Sequence, residues 1–198
     1  MRKSKGIYIV ILTVVILTCC SGESYVPKPN GYYRFDLPKK SYHRSKENLP
    51  YSFNIADYSS LEIDRDKNAE PYWRNVVTKT TDINAKIHLS YMKIDGNIDQ
   101  YIEDAYKLAF KHTIKANNIE NNLIYDTARN IYGVYYNIDG NAASPFQFFI
   151  TDSTKHFLRG SIYVWSTPNI DSLQPIYDFM TEDAIEIINS IEWDSSKK

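Results

Sequence analysis

The sequence predicts an α+β domain in which an antiparallel β-sheet is flanked by two main α-helices. Short stretches that alternate apolar and polar residues, the two-residue period of half-buried strands, fill most of the chain beyond residue 30. Two longer stretches, 98–109 and 171–191, instead repeat apolar residues every three or four positions, as one face of a helix does. The order is several strands, a helix, several strands and a helix, with hairpin-length links where parallel βαβ units would need long crossovers.

The chain begins with Arg2, Lys3 and Lys5 and no acid, followed by an apolar run, Ile7 to Thr18, that ends at Cys19-Cys20. This is the charged and apolar layout of a signal peptide. The run is well short of the roughly 20 residues needed to cross a bilayer. Leu17 stands three residues before Cys20, as in the lipobox of bacterial lipoproteins, so cleavage before Cys20 would leave a lipidated, palmitate-bearing cysteine at the new terminus. Cys19 occupies a slot where Gly, Ala or Ser is usual, and a cut before Cys19, with Ile16 and Thr18 in the flanking slots, is the alternative. The expected layout is a signal peptide over 1–19, a lipidated tether over 20–30 and one domain over 31–198.

Both cysteines of the chain lie in this segment, so the domain forms no internal disulfide and depends on packing. Removing 19 of the 198 residues leaves 179, enough for one core burying roughly 70% of the unfolded surface. The leader carries three of the 23 basic residues and none of the 24 acidic ones, so the remainder has a formal charge of −4. That balance offers no basic surface for nucleic acid. Seventeen Tyr and three Trp suit half-buried strands and contact surfaces, since each ring is apolar with a polar tip.

Pro27 and Pro29 keep the tether from starting a helix. A first strand is expected at Tyr32 to Leu37, where Tyr33, Phe35 and Leu37 alternate with polar neighbours until Pro38 stops the pattern. Further strands are expected at Tyr51 to Ile55, Leu61 to Asp64, Trp73 to Val77, and Ala85 to Ile94, the last with Ile87, Leu89 and Tyr91 on one face. Asp95-Gly96-Asn97 turns the chain, and Asn97 is placed to cap a helix whose stripe is Ile98, Tyr101, Ile102, Ala105, Leu108 and Ala109. Leu123 to Asp126, Ile131 to Ile138, Phe146 to Thr151 and Phe157 to Trp165 read as an antiparallel meander, with a turn at Asp139-Gly140-Asn141. The closing helix, from about Asp171, has Leu173, Ile176, Tyr177, Met180, Ala184, Ile187, Ile188 and Ile191 in one stripe, with Asp178, Glu182, Asp183 and Glu186 on the rest. Ile-Asp-Gly-Asn at 94–97 and 138–141 repeats turn chemistry, not a domain.

Few residue groups suggest chemistry. Asp64, Asp66, Asn68 and Glu70 alternate like the first ligands of a calcium loop, but Ala69 stands where the sharp turn needs Gly and Asn75 where a bidentate Glu would close the site. Asp152, Ser153, His156 and Arg159 hold the residue types of a hydrolase, yet residues of one hairpin rarely aim those groups at each other, and the chain has no Gly-x-Ser-x-Gly elbow. His43, His88, His112 and His156 never fall at the i, i+4 spacing of a helical zinc pair; His88 is expected outward with Lys86 and Ser90, and His112 at the core edge. Glu103-Asp104 reads as a solvated face. No catalytic residue, cofactor or metal site is expected.

The run Ala143-Ser144-Pro145-Phe146-Gln147-Phe148-Phe149-Ile150-Thr151-Asp152-Ser153-Thr154-Lys155-His156-Phe157-Leu158-Arg159-Gly160, with Pro168 to Leu173, Pro27 to Arg34, Leu89-Ser90-Tyr91 and Ser190 to Trp193, resembles the gliding-motility lipoprotein GldD family across the domain. The resemblance implies an envelope lipoprotein required for gliding, in bacteria whose gliding machinery is entwined with type IX secretion. Its partners would be other envelope gliding and secretion proteins, and the membrane through the N-terminal lipid; it implies no catalytic residue. The strand and helix order also resembles the Mog1/PsbP-like α+β fold.

Two functions follow as expectations. One is a non-enzymatic assembly or stability factor, lipid-anchored in the envelope and facing the periplasm. The alternative is an envelope enzyme or small-ligand binder, such as a glycan binder, with a site near Asp152, Ser153, His156 and Arg159.

Overall fold

Alternation of β-branched and aromatic residues with polar ones builds most of the domain. The computed structural model describes residues 35–111, 116–165 and 170–194, all within the unit Tyr33–Lys198. In chain order the strands are β1 (Tyr42–Arg44), β2 (Tyr51–Ser52), β3 (Asn54–Ala56), β4 (Ser59–Ile63), β5 (Arg74–Lys79) and β6 (Asn84–Lys93). Helix α1 (Ile98–Phe110) precedes β7 (Ala116–Asp126), β8 (Ile131–Gly140), β9 (Phe146–Thr151) and β10 (His156–Val164). Helix α2 (Ile170–Ser190) and β11 (Glu192–Trp193) close the chain.

Seven strands form one antiparallel sheet in the order β4-β5-β6-β10-β9-β8-β7. Two meanders, one on each side of α1, therefore meet where β6 pairs with β10, His156 lying opposite Lys93 and Val164 opposite Ala85. Two short pairs, β1 with β3 and β2 with β11, sit beside it.

Successive side chains of a strand point to opposite faces, and here each face has its own core. Ile87, Leu89, Phe146, Phe148, Ile150, Leu158 and Ile162 pack with Ile176, Met180, Ala184 and Ile187 of α2. The alternate residues Phe149, Phe157, Tyr136 and Ile138 pack with Ala105 and Ala109 of α1. The helices thus lie on opposite faces, giving the expected α+β architecture in three layers.

Several details differ from the sequence pattern. The expected strand at Tyr32 to Leu37 falls partly outside the described residues, and its described part has no ladder. Pro38 has no N–H to pair, and the segment lies as a strap, with Phe35 on the core and the Asp36 N–H donating to the Asp82 carboxylate at 2.9 Å. The predicted strand 51–55 keeps its buried alternation of Tyr51, Phe53 and Ile55 but divides at Phe53 between two partners, β2 on β11 and β3 on β1. Asn97 does not cap α1 with its side chain: its amide oxygen accepts from the Asp95 N–H and its NH2 donates to the Tyr101 hydroxyl. The stripe of α1 is narrower than its periodicity, with Ile102 and Leu108 each 36% exposed. Strand β7 begins at Ala116 and not at Leu123. Both turns read from Asp-Gly-Asn hold, with Gly96 at φ 71° and Gly140 at φ 104°, where a Cβ would be strained.

Candidate functional site

Thr151 ends β9 and His156 starts β10, so the loop between them must reverse the chain and satisfy its own amides. Asp152 does most of this. One carboxylate oxygen accepts the N–H of Thr154 (3.0 Å), Lys155 (2.7 Å) and His156 (2.8 Å), and the other accepts the Thr154 hydroxyl at 2.9 Å. Burial pushes the Asp152 pKa up, but these amide bonds outweigh it and hold the group below the usual carboxylate range. Ser153 stands exposed at the tip with φ 64°, its N–H donating to Thr151 Oγ1 at 2.9 Å.

His156 is 4% exposed and lies flat against Trp193, ring centroids 5.2 Å apart and planes 5° from parallel. Its Nδ1 shares a 2.8 Å hydrogen bond with the Tyr91 hydroxyl. Desolvation lowers the His156 pKa against the pull of Asp152, and raises that of Tyr91 to about 12. Arg159 is three residues on, so the strand pleat sends it to the opposite face of the sheet, where Nη2 donates to Gln147 Oε1 at 2.6 Å. Asp152 bonds the main-chain N–H of His156, and the ring of His156 is tied to Tyr91. The four hairpin residues singled out by sequence therefore do not converge, and no nucleophile–base–acid relay forms among them.

The hairpin does border a cleft, of about 680 Å³. It is lined by Lys155 and His156 of the hairpin together with Pro50, Glu70, Pro71, Tyr72, Tyr91, Met92, Lys93 and Tyr101. These residues come from five stretches of chain, and no spacing rule links them.

A second feature was equally hidden. Asp183, counted by periodicity among the exposed acids of the last helix, is 4% exposed. Its carboxylate accepts from Lys40 Nζ at 2.7 Å, Tyr42 Oη at 2.9 Å and Tyr58 Oη at 2.8 Å. Burial and the adjacent carboxylate push both tyrosine pKa values far up. Lys40 also donates to the Phe179 carbonyl at 2.6 Å and sits 3.5 Å from that ring's centroid. The strap before β1 is thereby clamped to α2.

The remaining sequence candidates have local partners. Asp64 of the calcium-like loop hydrogen-bonds His88 Nε2 at 2.6 Å, and Asp66 and Asn68 use their N–H groups on the preceding carboxylates at 3.0 and 2.9 Å. Desolvation lowers the His88 pKa despite Asp64. His88 is half-buried against Trp73, and Ser90 is buried, so their face is more covered than alternation alone implied. His43 pairs with Asp57 at 2.6 Å at the surface, and Glu103 with Lys107 at 2.6 Å. His112 and both cysteines, Cys19 and Cys20, lie outside the described residues. Among the described residues no group of three or more His, Cys, Asp or Glu side chains is placed to hold a metal. No helix among them is long and apolar enough to cross a membrane.

Compared with known proteins, residues 22–193 match the family model for the gliding motility lipoprotein GldD. Curated proteins give no match. Among solved structures the chain is similar to the solution structure of cyanobacterial PsbP (CyanoP) from Synechocystis sp. PCC 6803. The TM-score is 0.43 and the identity 13%, over 84% of this chain and 99% of that one.

Proposed function

From the premise that this chain belongs to the gliding motility lipoprotein GldD family, we propose that it works by contact, as a non-enzymatic assembly or stability factor of the gliding and type IX secretion machinery. The observation that carries this reading is a family match running from residue 22 to residue 193, across the whole sheet and both helices. The hairpin supports it: Asp152 is spent on the loop's own amides, His156 is wedged between Tyr91 and Trp193, and Arg159 lies on the other face. Those side chains hold the fold.

In this reading residues 1–19 are the signal peptide, 20–30 the lipidated tether and 31–198 the domain, anchored through Cys20, with Cys19 the alternative, and facing the periplasm. The clamp of Lys40, Tyr42 and Tyr58 on Asp183 suits such an anchor. The part of the domain nearest the tether in sequence is tied to its longest helix, so a pull on the tether loads the core instead of peeling a loop.

Crosslinking in living cells from photoreactive residues on the exposed faces of α1 and β7 tests the proposal. Other envelope gliding components should be captured by the wild type. Cys20→Ala should abolish palmitate labelling and membrane recovery, while Cys19→Ala should keep both. Capture of unrelated proteins only, or of none, would overturn the assembly role; loss of labelling in Cys19→Ala alone would move the lipid to Cys19.

A further inference from the structure

The cleft beside the hairpin has a chemistry that protein docking does not account for. Its volume of about 680 Å³ falls inside the roughly 300–1,000 Å³ range of small-ligand sites. Tyr72, 41% exposed, meets Tyr91 with centroids 5.8 Å apart and planes at 86°; Tyr91 is itself 6% exposed and stacked on Tyr51 at 5.5 Å, so Tyr72 offers the open ring of this corner and Tyr91 backs it. The Tyr91 hydroxyl is held by His156, and the Tyr101 ring is packed on Phe157, which fixes both rings in place. Around the corner stand Glu70, Lys93 and Lys155, all exposed, and none of these side chains is hydrogen-bonded or ion-paired among the described residues.

We propose that this corner of Tyr72 and Tyr91, rimmed by Glu70, Lys93 and Lys155, is a binding site for a neutral saccharide of one or two pyranose rings. A pyranose has an apolar C–H face and an equatorial belt of hydroxyls, so it needs a flat ring to lie on and donors and acceptors around the edge. The exposed Tyr72 ring supplies the first, standing against Tyr91, which its bond to His156 and its stacking on Tyr51 hold in place. Two ammonium groups supply donors and a carboxylate supplies an acceptor, and each side chain can reach a hydroxyl without giving up an existing partner. Charge favours a neutral ligand, because the cleft mixes both signs: Lys93 and Lys155 stand with Glu70, and the Asp152 carboxylate lies next to Lys155, whose main-chain N–H it accepts at 2.7 Å. An extended peptide is the poorer occupant. Pro50 and Pro71 offer no N–H, and β6 and β10 are paired with each other along the wall, so no free edge awaits a strand. Of the four hairpin residues that sequence suggested for a glycan site, His156 alone lines this cleft, with Lys155 as its neighbour.

The test uses the intact lipoprotein in detergent micelles, with cellobiose, N,N′-diacetylchitobiose and their tetrasaccharides as probes. Saturation-transfer NMR should show magnetisation passing to pyranose ring protons, with a millimolar or tighter dissociation constant. Tyr72→Ala, at an exposed ring, should weaken binding at least tenfold, Lys155→Ala several-fold, and Tyr72→Phe should retain the wild-type value. Circular dichroism of each variant checks that it is folded; should Tyr72→Ala unfold, Lys155→Ala decides. No transfer to any of the four probes at millimolar concentration would overturn the proposal. So would transfer that both alanine variants leave unchanged, or a proline-rich peptide binding this cleft where the sugars do not. Loss of saccharide binding would leave the crosslinking result, and hence the assembly role, untouched.

Discussion

Replacing Asp183 with alanine should remove about 4 kcal/mol of stability, within the 3–5 kcal/mol typical of breaking a buried ion pair from one side. The structure sets the terms. The carboxylate is 4% exposed and receives three donors, one of them an ammonium. Hydrogen bonds to a charged group contribute about 1.5–3 kcal/mol each, which caps the loss well above 4. The loss stays below that cap because Tyr42 and Tyr58 are only half-buried and can turn to water, and Lys40 keeps the Phe179 carbonyl and ring. In urea, with a slope of about 2 kcal/mol per molar for a domain of this size, the midpoint should fall by about 2 M. Tyr42→Phe, which removes one donor and leaves no charge unpaired, should cost about 1 kcal/mol. Amide exchange should quicken first over residues 36–44, where the strap loses its hold, and last in β6 and β10 at the sheet centre. A midpoint shift no larger than that of Tyr42→Phe, or uniform exchange across the domain, would refute the clamp.

Other outcomes follow from close approach and from titration. A Cβ on Gly133 would lie 2.0 Å from the main-chain oxygen of Phe149, so Gly133→Ala should cost about 3 kcal/mol or more by urea unfolding. Gly96→Ala meets open space and carries only the strain of φ 71°, so about 1 kcal/mol is expected there. Burial lowers the pKa of His88 and of His156, so the unfolded chain binds their protons more readily than the folded one. Their contribution to stability is therefore complete above the ordinary histidine value of about 6.5 and is lost as pH falls below it toward the folded values. Thermal scans should show a Tm level above neutrality and falling on acidification through that window, with a shallower fall in His156→Gln; an unchanged Tm there would refute the burial argument.

What could be read from the chain alone was local. Strand and helix periods, the turns at Gly96 and Gly140, the charged and apolar leader and the cysteine pair each lie within a few neighbouring residues. An apolar residue at every second or every third and fourth position records which side of its own element is buried. It does not record what lies opposite. Asp183 has the spacing of an exposed helical acid, and becomes a buried acceptor because Lys40, 143 positions earlier, folds over it. Asp152, His156 and Arg159 look like one cluster in the sequence, yet Asp152 is spent on the amides of its own loop and the pleat of β10 sends His156 and Arg159 to opposite faces of the sheet. Tyr72, Tyr91, Tyr101 and His156, scattered through the chain, share a cleft because β6 pairs with both β5 and β10 and α1 packs Tyr101 on Phe157. The sequence thus determined the two helices, most of the long strands, their main apolar faces and the family. Tertiary structure alone decided which side chains meet, because hydrogen bonds and ring contacts act over a few ångströms of space whatever the distance along the chain.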